Sequence, residues 1–122
     1  MKTVVEVQDI FYSQLPTLRP LFKGQYPDDY DAESFAVINT LGVPWDPIQT
    51  VEVNVNCYAK DIQKGLPNYT KLIEMFNYAI NQLHNYNNDA VDIEYRNGDI
   101  IREEQRQWHY YNLRFRLIFI NN

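Results

Sequence analysis

The stretch Thr50-Val51-Glu52-Val53-Asn54-Val55-Asn56-Cys57-Tyr58-Ala59 alternates without a break. Val51, Val53, Val55, Cys57 and Ala59 fall on one side of an extended chain; Glu52, Asn54, Asn56 and Tyr58 fall on the other. Successive strand side chains point to opposite faces, so this period of two means a strand with one buried and one wet face. Such a strand needs a cover on its apolar side, and the periodicities of the flanking sequence say what supplies it. Cys57 sits on the apolar side, where a thiol is a core residue rather than a nucleophile.

Upstream, Phe35-Ala36-Val37-Ile38-Asn39-Thr40-Leu41 reads as a second strand, and Gly42-Val43-Pro44-Trp45-Asp46-Pro47 breaks it, because two prolines and a glycine do not fit inside a paired strand. Gly24 to Ser34 includes Tyr26-Pro27-Asp28-Asp29-Tyr30-Asp31, polar and aperiodic, and reads as a surface loop. Its aspartates lack the glycine and closing glutamate of an EF-hand loop, which argues against calcium. Thr3-Val4-Val5-Glu6 has the spacing of a capping box. The spacing predicts a helix from about Val4 to Leu15 with Val7, Ile10, Phe11 and Leu15 on one side; the β-branched valines make a strand the competing reading. Pro16 ends the element.

Downstream, Tyr69, Leu72, Ile73, Phe76, Ala79, Ile80 and Leu83 recur at helical spacing, with Pro67 near the first turn and Met75 as ordinary packing. Val91-Asp92-Ile93-Glu94-Tyr95 alternates as a strand, Asn97-Gly98 is the preferred dipeptide of a tight hairpin, and Ile100 and Ile101 begin the return strand. A last strand is expected from about Gln107 to Ile120. Tyr111, Leu113, Phe115, Leu117 and Phe119 share one of its faces; Trp108, Tyr110, Asn112, Arg114 and Arg116 share the other. The expected fold is α+β: a mainly antiparallel sheet of about four to five strands with two helices packed on one face. The 122 residues form a single domain, 1–122.

Composition narrows the function. Sixteen acids against 11 bases give a net charge of −5, which disfavours tight, general binding to nucleic acid. One cysteine provides neither an internal disulfide nor a cysteine-rich zinc site. The start of the sequence shows no apolar run suited to export, and no segment approaches a membrane span, so a reducing cytoplasm is the expected setting.

Catalytic groups find bland explanations. His84 lies at a helix end, and His109 shares a strand face with Tyr111 and Leu113; neither has a second histidine at a ligand spacing. No serine stands in a nucleophile elbow and the four glycines are isolated, so no phosphate-cradling loop is present. Asp92 and Glu94 share a strand face, but the carboxylates read as the solvated sides of strands. No catalytic residue, cofactor site or metal site is expected. What remains is Trp45 in its proline-bracketed loop and the face bearing Trp108, Tyr110, Arg114 and Arg116. Trp, Tyr and Arg are enriched where proteins meet, and these five are the candidate protein interface, with packing of Trp45 onto its own sheet as an equal alternative.

A short N-terminal helix, the strand Val51–Asp61 with its polar alternation, an amphipathic helix and a final strand rich in arginine and aromatics, Trp108 to Ile120, together resemble the tail terminator and tail completion proteins of long-tailed bacteriophages, and the related minor neck proteins. The resemblance covers most of the chain from Phe35 onward. It implies a phage or prophage structural protein of the head-tail joint, not an enzyme: a homo-oligomeric ring, usually a hexamer, that caps the tail tube and docks it to the head. Its partners would be other copies of itself and tail-tube and neck proteins, with DNA at most passing through. It would work in the host cytoplasm during assembly and then in the virion. The sheet would line the channel, with Gly24 to Ser34 as a subunit-contact arm. The double-proline turn and the Asn97-Gly98 hairpin do not match that family. The alternatives are a bacterial interaction adaptor lending the edge of its last strand to a partner, or a small ligand-binding domain.

Overall fold

In the computed structural model the chain is described at residues 2–27, 30–43, 47–88, 90–103 and 106–120. Trp45 lies outside the described residues, as do Pro44, Asp46 and the loop aspartates Asp28 and Asp29. In chain order the elements are α1 (Val4–Gln14), β1 (Leu21–Lys23), β2 (Ser34–Thr40), β3 (Ile48–Lys60), α2 (Tyr69–Leu83), β4 (Tyr86–Asn88), β5 (Val91–Glu103) and β6 (Trp108–Ile120). The strands form one six-stranded sheet in the order β1-β2-β3-β6-β5-β4, curled into a half-barrel. It has more strands than the sequence suggested, and it is mixed, because β1 runs parallel to β2 while every other pair is antiparallel.

The alternating strand is the centre of this arrangement. Its valines, at 51, 53 and 55, and Cys57 are buried as the period of two requires, and all 13 residues of β3 stand opposite β6 from Ile48↔Ile120 to Lys60↔Trp108. β6 is in turn flanked by β5, so both edges of the last strand are taken. The last strand therefore has no free edge to lend to a partner among the described residues, whereas β5 keeps an open stretch that β4 does not cover. The Asn97-Gly98 expectation also fails. β5 runs straight through that dipeptide, with a bulge between Tyr95 and Asn97, and the chain reverses only after Glu103. A turn at Asn97 would have left most of β6 without a partner on that side. Pairing along β6 wins because it satisfies a whole row of backbone groups.

The capping box at Thr3 forms: the Thr3 hydroxyl accepts from the Glu6 amide and the Glu6 carboxylate accepts from the Thr3 amide. This settles the first element as a helix. Val7, Phe11 and Leu15 are fully buried, and the Phe11 ring meets Phe115 edge-on at 5.8 Å. α2 is capped by Asn68, whose side chain accepts from the Lys71 amide, so Pro67 stands just before the helix, beside its first turn. Leu72, Met75, Ala79 and Leu83 face the core, whereas Tyr69 and Ile73 are exposed. Both helices pack on the face of β3 that carries Val51, Val53, Val55 and Cys57. α2 leads from β3 to β4, and β6 and β5 lie between those two strands in the sheet, so the connection crosses one face of it.

A second, smaller cluster lies on the opposite face. Phe35, Val37, Tyr58 and Trp108 are buried there, with Phe22, Tyr26, Tyr30 and Tyr110 packed against them. Tyr26 and Tyr30, from the segment between β1 and β2, pack against this cluster of their own sheet.

Candidate interaction face

The open face of the sheet is built in rows. Backbone register places Glu52, Arg116 and Glu94 side by side on β3, β6 and β5; the next rows are Asn54, Arg114, Asn97, then Asn56, Asn112, Asp99, then Tyr58, Tyr110, Ile101. Directly opposed side chains in an antiparallel pair are close enough to interact, so each row is a chemical unit. Arg116 reaches Glu52 at 3.5 Å and Glu94 at 3.7 Å. Arg114 donates to the Asn97 amide oxygen at 2.5 Å and meets Asp99 at 3.3 Å. Asn112 donates to Asn56 at 2.5 Å across the β6–β3 pair. The Tyr58 and Tyr110 rings stack at 4.7 Å.

The face thus grades from charged rows to an aromatic end. Phe35 stacks flat on Tyr58 with centroids 4.6 Å apart, and Trp108 approaches Phe35 edge-on at 5.0 Å. Burial pushes the Tyr58 hydroxyl well above the usual phenol range, with Tyr26, Tyr110 and Glu103 adding to it; burial also raises that of Tyr110. Arg106 lies over the Trp108 indole at 3.8 Å and donates through Nη2 to the Tyr30 carbonyl.

The candidate residues divide accordingly. Tyr110, Arg114 and Arg116 share the face as expected and are half-buried. Trp108 is only 2% exposed, because the chain's own Tyr26, Phe35 and Arg106 cover it, so it is not left for a partner. Register brings in Glu52, Glu94, Asn56 and Tyr58, which the sequence placed on wet faces without saying which cation each would meet. The signal was the alternation in both long strands; their relative register was not in it.

Behind this face lies a pair the sequence did not reveal. Asp61 and His109 side chains are 2% and 11% exposed, and Oδ1 of Asp61 is 2.7 Å from Nδ1 of His109. Not every carboxylate is therefore on a wet surface. The Asp61 amide donates to the Gln107 carbonyl at 2.8 Å, which fixes the end of β3 against the start of β6. His84, the C-cap of α2, accepts the Tyr95 amide on Nδ1 at 3.1 Å. Both histidines thus have structural partners. Cys57 is fully buried, and that burial raises its thiol to about 12.

Among the described residues, no three histidine, cysteine, aspartate or glutamate side chains are placed to hold a metal ion. A cleft of about 210 Å³ lies between the segment after α1 and the start of α2. Several of its polar groups have partners within the chain: Lys71 with Glu74 at 3.2 Å, Arg19 with the Leu15 and Leu18 carbonyls, and the Tyr78 hydroxyl with the Thr17 amide. No helix of the described residues is long and apolar enough to cross a membrane. No family model matches the chain, and no curated protein matches it in sequence.

Proposed function

We propose that the chain is a structural subunit of the head-tail joint of a phage or prophage, a tail terminator that assembles as a ring, caps the tail tube and docks it to the head. The observation that carries this reading is the row structure of the open face. Its two strand-borne arginines, Arg114 and Arg116, are tied to Asp99, Glu52 and Glu94 on neighbouring strands. A phosphate backbone is held by cations free to displace its counterions. A face with its cations already matched, on a chain of net charge −5, suits a wall that DNA slides past without sticking. The sequence pattern supports the same reading.

Sedimentation velocity of the chain, alone and with tail-tube protein, tests the proposal. A ring several times the 14.6 kDa chain mass, or one that appears on the ends of tail tubes, is the expected result. A chain that stays monomeric with tubes present and leaves their ends uncapped overturns it and favours the adaptor reading.

A further inference from the structure

The edge of β5 is open over most of its length. β4 covers it only at Val91, Asp92 and Ile93, and the Tyr95 amide is taken by His84. From Arg96 to Glu103 no described strand lies beside it. Such an edge offers a row of backbone donors and acceptors whose natural complement is another extended main chain.

We propose that two copies of this chain pair antiparallel through Arg96–Glu103 of β5, about a two-fold axis at Ile100, so that their sheets join. The sequence of the edge selects the second copy as occupant. In a two-fold antiparallel pair a strand faces itself, and opposed side chains lie on the same face, so the axis must pass through a residue. The open stretch is centred between Asp99 and Ile100, which leaves those two as axes. An axis at Asp99 sets Asp99 against its own counterpart and Arg96 against Arg102, and like charges directly opposed are destabilising. Shifting the other way, to Ile101, sets Asp99 against Glu103. With the axis at Ile100, Ile100 meets Ile100, Asp99 meets Ile101, Gly98 meets Arg102 and Asn97 meets Glu103. No like charges oppose, an apolar pair sits on the axis, and an amide faces a carboxylate.

The neighbours of the edge fit this arrangement. Ile100 stands opposite Tyr111 in the β5–β6 ladder, and Tyr111 stacks on Phe76 of α2 at 4.8 Å. Ile100 is half-buried within its own chain, and its counterpart would cover the remainder. The bulge at Arg96 marks one end of the pairing, and the reversal after Glu103 marks the other. A two-fold contact does not close a ring, so this inference is independent of the tail-ring reading.

Sedimentation equilibrium of the wild-type chain and of Ile100→Lys and Ile100→Glu tests it. Whatever ring also forms, the wild type is expected at twice the mass of either variant, and an equimolar mixture of the two variants at the wild-type mass again. Lysine against lysine, or glutamate against glutamate, breaks the pair; lysine against glutamate restores it. Recovery in the mixture also shows that both variants are folded. A wild-type chain that stays monomeric at its highest soluble concentration, variants that pair as well as wild type, or a mixture that fails to recover each overturns the proposal. A ring unaffected by either variant overturns it while leaving the tail-ring reading intact. A dimer lost in both variants and regained in the mixture, from a chain that does not cap tubes, does the reverse.

Discussion

Asp61 and Cys57 show how one side chain reports on the fold. The Asp61 carboxylate is the partner of a largely buried imidazole, so Asp61→Ala leaves Nδ1 of His109 without that partner. An orphaned buried polar group costs about 1–3 kcal/mol, and more where charge is involved. We expect a loss of that size in urea unfolding, with Asp61→Asn losing less because it keeps an acceptor. Cys57 gives a pH dependence whose sign is fixed. Its thiol is raised from 9.0 to about 12 by burial, so between those values the folded chain keeps a proton that the unfolded chain releases. Stability from this group is intact below 9.0 and is lost as pH rises toward 12, by about 1.4 kcal/mol per pH unit. Urea melts run upward from pH 9.0 should show the wild type losing its advantage over Cys57→Ala at that slope. An advantage independent of pH would mean the thiol is not held protonated.

At the scale of elements, the period of a segment was legible and its partner was not. The alternation of β3, the capping box of α1 and the stripe of α2 each depend on residues a few positions apart. The first two formed as the spacing required, while the buried stripe of α2 runs through Leu72, Met75, Ala79 and Leu83 and leaves Tyr69 and Ile73 exposed. Leu72 and Ile73 both belong to the helical stripe, yet Leu72 is fully buried and Ile73 is 47% exposed. Leu72→Ala should cost about 2–5 kcal/mol, while Ile73→Ala stays within about 0.5 kcal/mol; paired thermal melts decide. The Asn97-Gly98 error has the opposite origin. The dipeptide is a good local turn, but long-range pairing with β6 overrides it, and glycine is kept for its lack of a side chain. A Cβ on Gly98 would lie 2.6 Å from the Asn112 carbonyl oxygen and 2.8 Å from the Tyr95 hydroxyl. Gly98→Ala should therefore destabilise the sheet by about 1–3 kcal/mol, as overpacking does. An unchanged melting temperature would show that β5 and β6 separate easily at that point. Trp108 departs from the expectation for a similar reason: the tyrosines that pack near it come from another part of the chain, and no local period announces them.

For the whole molecule, the question is whether the open face repels DNA through net charge alone or through the matching of charges within its rows. The two can be separated. Glu52→Gln, Glu94→Gln and Asp99→Asn remove the three carboxylates that meet Arg114 and Arg116, and each keeps an amide of similar shape. The net charge moves from −5 to −2, since three negative charges are lost, so the chain remains acidic. If the rows hold the arginines away from phosphate, the triple variant gains weak duplex binding while the wild type shows none. That binding should fall with salt at a slope of about −1.8 in log K against log salt, as expected for two phosphate contacts at about 0.9 each. Neutralising Glu33, Asp92 and Glu103 instead gives the same net charge without freeing Arg114 or Arg116. That control should not bind. If it binds as well as the triple variant, net charge alone governs the face and the pairing in rows has no part in it. If neither binds, two freed arginines on this sheet are too few to hold a duplex, and the row structure no longer supports a passage for DNA.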